Sequence, residues 1–130
     1  MDLEFLLSYC LEKVGAYEDR PFGDDPICCK VGECIFAQFY ADGRMMFKCD
    51  AQQAAQERET YPQAVCMEEG AQWAHWNTVL WNEIPQETLL SMLDRSYDRV
   101  FSSLPESVRE EILHPQPEEE VKRRKLWRKK

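Results

Sequence analysis

The sequence predicts an α+β domain of two layers, a mostly antiparallel sheet with its helices on one face, in the order α-βββ-α-ββ-α. Three observations lead there. Apolar residues recur at three- and four-residue spacing near the start of the chain and again from Leu89 to Leu104. Between them lie three short β-forming runs broken by glycine turns, and then an alternating run that closes at Trp81.

The first helix is predicted over about residues 2–17, where Leu3, Leu6, Leu7, Cys10, Leu11, Val14 and Tyr17 share one side, with Glu4, Glu12 and Lys13 opposite. EDRPFGDDP, 18–26, concentrates turn formers and reads as a loop. Next come ICCKV (27–31), ECIFAQFYA (33–41) and RMMFKC (44–49), an antiparallel meander whose connections use Gly32 and Gly43. Asp50 is placed to cap AQQAAQERE, since its carboxylate can accept from the unpaired N–H groups of the first turn, and Tyr61-Pro62 ends that helix.

HWNTVLW (75–81) alternates as a strand, preceded by a short one near Val65 to Glu68. Pro85 suits the opening of a long helix with the stripe Leu89, Leu90, Leu93, Tyr97, Val100, Phe101 and Leu104. Pro105 restarts a shorter helix, with Val108, Ile112 and Leu113 on its apolar side. The organisation expected is a domain over 1–105, a helical extension over 106–114, and a mobile tail over 115–130, basic from 122.

At 130 residues, with 44% hydrophobic and 12% aromatic content, the composition is that of one globular domain. The opening residues show no basic, apolar leader, and no stretch approaches the roughly 18 apolar residues of a membrane span, so a cytoplasmic protein is the expectation. The six cysteines are therefore expected as free, mostly buried thiols. Cys28 and Cys29, adjacent in a strand, point to opposite faces and cannot share a metal in the usual way. Residues 1–121 hold 24 acids and 9 bases, a net of −15, whereas KRRKLWRKK at 122–130 holds +7. An acidic body repels nucleic acid, and a basic tail attracts phosphates, acidic proteins or anionic surfaces.

Four segments, PFGDDPICCKVGECIFA (21–37), KCDAQQAAQERETYP (48–62), HWNTV (75–79) and SYDRVFSSLP (96–105), together resemble the MmcQ/YjbR family of small bacterial proteins, over about residues 1–105. The resemblance implies an α+β fold akin to secretion-chaperone and frataxin-like domains, a DNA-binding role of double-wing type, and no established catalytic activity. The chain departs from the family pattern just before the His-Trp pair, where Gln72-Trp73-Ala74 stands in place of an asparagine and basic residues.

The candidate sites follow. Alternation puts Ala74, Trp76, Thr78 and Leu80 on one side of the strand, expected as the core side, and Trp73, His75, Asn77, Val79 and Trp81 on the other. Trp73, His75, Asn77 and Trp81 are thus candidate partner contacts on an open sheet face. Lys122, Arg123, Arg124, Lys125, Arg128, Lys129 and Lys130, with Trp127, form a second candidate: the bases can release phosphate counterions while the indole stacks. The same tail could equally fold back on the acidic body. Asp24 and Asp25 are read as caps of turn amides in preference to a cation site, and no metal or cofactor is expected. In Ser96-Tyr97-Asp98, Tyr97 is expected to pack and a polar neighbour to make a local contact. A nucleophilic serine would need a base, for which the chain offers only His75 and His114, and Cys66 with His75 is a similarly thin pair, so no catalysis is expected. The function expected is a non-enzymatic binding protein acting on DNA, the alternative being a chaperone-like adaptor that holds a protein or peptide on the open sheet face.

Overall fold

A computed structural model describes residues 2–67 and 75–115. The elements are α1 (Leu3–Leu11), β1 (Tyr17–Asp19), β2 (Ile27–Val31), β3 (Cys34–Phe39), β4 (Arg44–Lys48), α2 (Ala51–Thr60), β5 (Val65–Cys66), β6 (Trp76–Leu80), a 3-10 turn (Trp81–Glu83), α3 (Gln86–Ser103) and α4 (Glu106–Leu113). The strands form one antiparallel sheet in the order β1-β2-β3-β4-β6-β5. The α+β class holds: β5 stands where a short strand was expected before β6, and among the described residues the strand added to the expected order is β1, at the other edge of the sheet.

The first helix is shorter than its apolar period predicted. It is capped by Asp2, whose carboxylate accepts from Phe5 N at 2.9 Å, and it stops at Leu11. Gly15 has φ +76°, a backbone turn that redirects the chain so that Tyr17 enters β1 beside Lys30. Apolar periodicity continued past that turn because Val14 and Tyr17 are apolar for other reasons. At the loop that follows, Asp25 accepts from Ala41 N at 2.9 Å, consistent with the reading of this acid as a turn cap. The expected cap of α2 is in place, Asp50 accepting from Gln53 N at 2.8 Å.

All four helices meet one face of the sheet. The core joins Leu6 and Cys10 of α1, Ala54 of α2, Leu89, Met92, Leu93 and Val100 of α3, and Ile112 of α4 to Cys29, Val31, Phe39, Met45, Phe47, Val65 and Val79 of the strands. Between β2 and β3 the register shifts after Cys29, leaving Phe36 as the extra residue of a bulge. Phe36 and Ala37 consequently both reach the core, and the Phe36 ring meets Tyr97 of α3 edge to face at 5.4 Å.

The opposite face is not bare. Cys28, Gln38, Met46 and Thr78 stand opposite one another across β2, β3, β4 and β6, and each is buried. Cys28 and Cys29 do point to opposite faces, Cys29 alone belonging to the helix-side core. The cysteines described are free thiols, with Cys34 and Cys66 exposed and the other four buried. No described helix is long and apolar enough to cross a membrane.

Candidate functional site

The faces of β6 are exchanged relative to the alternation argument. Val79 pairs with Met45 and Val65 on the helix side, which carries Asn77 to the same side, opposite Phe47. Asn77 is fully buried, and Trp81, beyond the strand, is buried as well. Trp76 is half-buried and Leu80 exposed on the other face. Asn77 and Trp81 are therefore not on an open face, and Trp76 is not in the helix-side core. Alternation defines two sets of side chains but not which set the helices cover. Hydropathy then misassigned them, because the polar member was buried with partners.

Those partners come from α2. Asn77 Nδ2 donates to Ala54 O at 3.2 Å and to Glu57 Oε1 at 3.1 Å, while its Oδ1 accepts from Arg58 Nη1 at 2.7 Å. Glu57 in turn accepts from Arg95 Nη2 of α3 at 3.1 Å. Helix α2 buries only Ala54 and Glu57, so this polar network, rather than an apolar stripe, fixes it to the sheet. Burial pushes the Glu57 carboxyl above the usual carboxylate range, against the hydrogen bond from Asn77 and the charge of Arg95.

Ser96 is the second buried polar anchor. Its Oγ donates to Phe36 O at 2.6 Å and accepts from Lys48 N at 2.8 Å, so α3 is bonded to the carbonyl of the bulged residue and to the end of β4. The contact is long-range, not the local one the sequence suggested. It satisfies backbone groups at the two places where the ladder is interrupted or ends. Tyr97 packs as expected, and its hydroxyl donates to Val14 O.

These two anchors bring the ends of β4 and β6 beside the second half of α3 and leave an open cleft of about 720 Å³ there. It is lined by Lys48, His75, Asp98, Arg99, Ser102 and Ser103. The cleft draws on three of the four segments that carried the family resemblance: 48–62, 75–79 and 96–105. Lys48 pairs with Trp76 at the strand ends, and just beyond them Cys49 N donates to His75 O at 2.8 Å.

Four described cations, Lys48, Arg58, Arg99 and Arg109, lack an ion-pair partner among the described residues, and two of them line this cleft. Of the nine lysines and arginines in the described residues, Lys13, Arg20, Lys30, Arg44 and Arg95 sit in ion pairs with carboxylates. Among the described residues neither Lys48 nor Arg99 has an ion-pair partner within 4.0 Å, and both line the cleft. Arg95 lies one helical turn before Arg99, and Arg58 and Arg99 both act on the Cys49 thiol, which places two more cations nearby. That thiol is still pushed up to about 12, chiefly by burial, with Glu57 and Asp50 adding to the effect, which favours its neutral form. What the arrangement can do chemically is accept an anion through an ammonium, a guanidinium and the Ser102 hydroxyl, since Ser103 Oγ donates to Val100 O at 2.7 Å.

Of the sequence-predicted residues, His75 alone among those described lines the cleft. Trp73 and the set Lys122, Arg123, Arg124, Lys125, Trp127, Arg128, Lys129 and Lys130 lie outside the described residues, as does Gln72. The sequence reading missed Lys48, Asp98, Arg99 and Ser102 as a group because they are spread over two motifs about fifty positions apart. The available signal was that Lys48 and Arg99 both fall inside the recognised segments. Among the described residues no three His, Cys, Asp or Glu side chains are placed to hold a metal ion.

Comparison with known proteins identifies the fold and the family. No protein of curated function matches the chain. A Deinococcus radiodurans protein, DR2400, with a domain of the type DUF419, is 27% identical, with a TM-score of 0.77 over 87% of this chain and 88% of that one. A Pseudomonas syringae protein shares the fold at 15% identity, with a TM-score of 0.62 over 77% of this chain and 99% of the other. The YjbR family model matches residues 11–99, from the end of α1 to Arg99 at the cleft, and the chain belongs to the YjbR family.

Proposed function

We propose that this is a non-enzymatic nucleic-acid-binding protein, with DNA as the partner, and that its folded domain contacts the phosphate backbone through the Lys48–Arg99 cleft. The observation that supports this most is that Lys48 and Arg99, neither with an ion-pair partner among the described residues, line one cleft of an acidic domain. Such a concavity focuses field lines and attracts phosphate, and the acidic remainder restricts contact to that place. The basic segment 122–130 adds a second, sequence-independent electrostatic contact in this reading. The adaptor alternative loses two of its four sheet residues, since Asn77 and Trp81 are buried on the helix side.

The test is DNA binding by fluorescence anisotropy at two salt concentrations for the full chain, for Lys48→Ala/Arg99→Ala, and for a chain ending at residue 121. Each phosphate contact removed lowers the salt slope by about 0.9 for duplex or about 0.7 for single strand, so the double variant should lose roughly 1.5 in slope. Affinity and slope unchanged in both variants would refute the reading.

A further inference from the structure

The cleft carries a feature that phosphate binding by itself does not need. Asp98 lines it beside Lys48 and Arg99, and among the described residues its carboxylate has no ion pair within 4.0 Å. Asp98 and Arg99 are neighbours on α3, about 100° apart around the helix, so they address different parts of the cleft. A ligand that offered only phosphate would meet the cations at the cost of repulsion from this acid. The cleft is open to solvent, and its volume of about 720 Å³ leaves room for a sugar beside a phosphate.

We propose that the cleft seats one nucleotide bearing both a 5′-phosphate and a free sugar hydroxyl, the phosphate against Lys48 and Arg99 and the hydroxyl donating to Asp98. This rests on the nucleic-acid reading above and narrows it. In a DNA strand only the 3′-terminal nucleotide offers that pair of groups, so the chain end, not the internal backbone, is the unit recognised. A free mononucleotide presents the same chemistry. Lys48 supplies a point charge, Arg99 a planar fork suited to two phosphate oxygens, and Ser102 a neutral donor or acceptor at the rim. An ionised carboxylate accepting from a hydroxyl makes a charge-assisted bond, stronger than a neutral one.

The experiment uses the full chain and two pairs of probes: a single-stranded oligodeoxynucleotide ending in a 3′-hydroxyl or in a 2′,3′-dideoxy sugar, and dAMP or its 2′,3′-dideoxy analogue. Wild type should bind the hydroxyl member of at least one pair about tenfold more tightly. Asp98→Ala should bind both members equally, and the dideoxy probe no more weakly than wild type does; circular dichroism confirms that the variant is folded. Preference in the oligonucleotide pair assigns the strand end as ligand, and preference confined to the dAMP pair assigns a free nucleotide and removes the DNA reading. Equal wild-type affinity within both pairs, or a preference that survives in Asp98→Ala, overturns the proposal. If oligonucleotides bind through Lys48 and Arg99 without regard to the end, the DNA reading stands and only the hydroxyl contact falls.

Discussion

Replacing Ser96 by alanine removes one oxygen from a fully buried position and little packing volume. Its effect therefore isolates the two hydrogen bonds that join α3 to the bulge and to β4. The Phe36 carbonyl is buried and would be left without the 2.6 Å donor; an orphaned buried acceptor costs about 1–3 kcal/mol. The Lys48 N–H is only partly buried, so water replaces some of its 2.8 Å bond and about 0.5–1 kcal/mol is lost there. The total, about 1.5–4 kcal/mol, is a large share of the roughly 5–15 kcal/mol that holds a domain folded. With a urea m-value on the order of 1.5 kcal/mol/M, the unfolding midpoint should fall by about 1–2.7 M with m unchanged. Urea titration followed by far-UV circular dichroism reads this directly. A fall of less than about 0.3 M would show that the serine is not the connector between helix and bulge, and that apolar contacts such as Phe36 against Tyr97 set the position of α3 without it.

Two further predictions concern how the outer helices are held. Gly15→Ala places a Cβ 2.6 Å from Ile112 Cγ2 at a residue with φ +76°, so both the turn and the seat of α4 are strained; thermal melting should fall by an amount equivalent to about 2 kcal/mol, and no change would mean that α4 is not seated on this turn. Asp94 tests the tie between α1 and α3: burial pushes its carboxyl up, but hydrogen bonds from Lys13 and Tyr9 outweigh that and hold it below the usual range. A depressed acid contributes stability above its unfolded pKa, near 3.9, and that stability is lost as pH falls through the lower folded value. Because the side chain is 46% exposed, Asp94→Asn should cost only about 0.5–1 kcal/mol at pH 7, and the difference from wild type should hold down to about pH 4 and shrink progressively below it in melts from pH 7 to about pH 2; a difference independent of pH would remove the ionic tie.

The local punctuation of the chain was legible in its residues. Asp50 capped its helix because a carboxylate there has only the first-turn amides to serve, Pro85 and Pro105 immediately precede helices α3 and α4, and glycine turns delimited the meander. Such features depend on near neighbours, which the sequence supplies. The family could also be read, because four segments in order are a linear signal.

Tertiary packing alone settled which side of β6 turned inward. Asn77 lies under α2 since Ala54 O, Glu57 and Arg58 satisfy its amide there, and those partners sit about twenty positions away. Ser96 was likewise a helix residue of no evident purpose until a bulge sixty positions earlier left a carbonyl for it to meet. The cleft arose from the same two anchors. Lys48 and Arg99 are ordinary cations in the sequence; the fold sets them on one cleft while Lys13, Arg20, Lys30, Arg44 and Arg95 take carboxylates of their own. Charge counts along a chain are additive, whereas pairing is a property of distance, and distance exists only after folding.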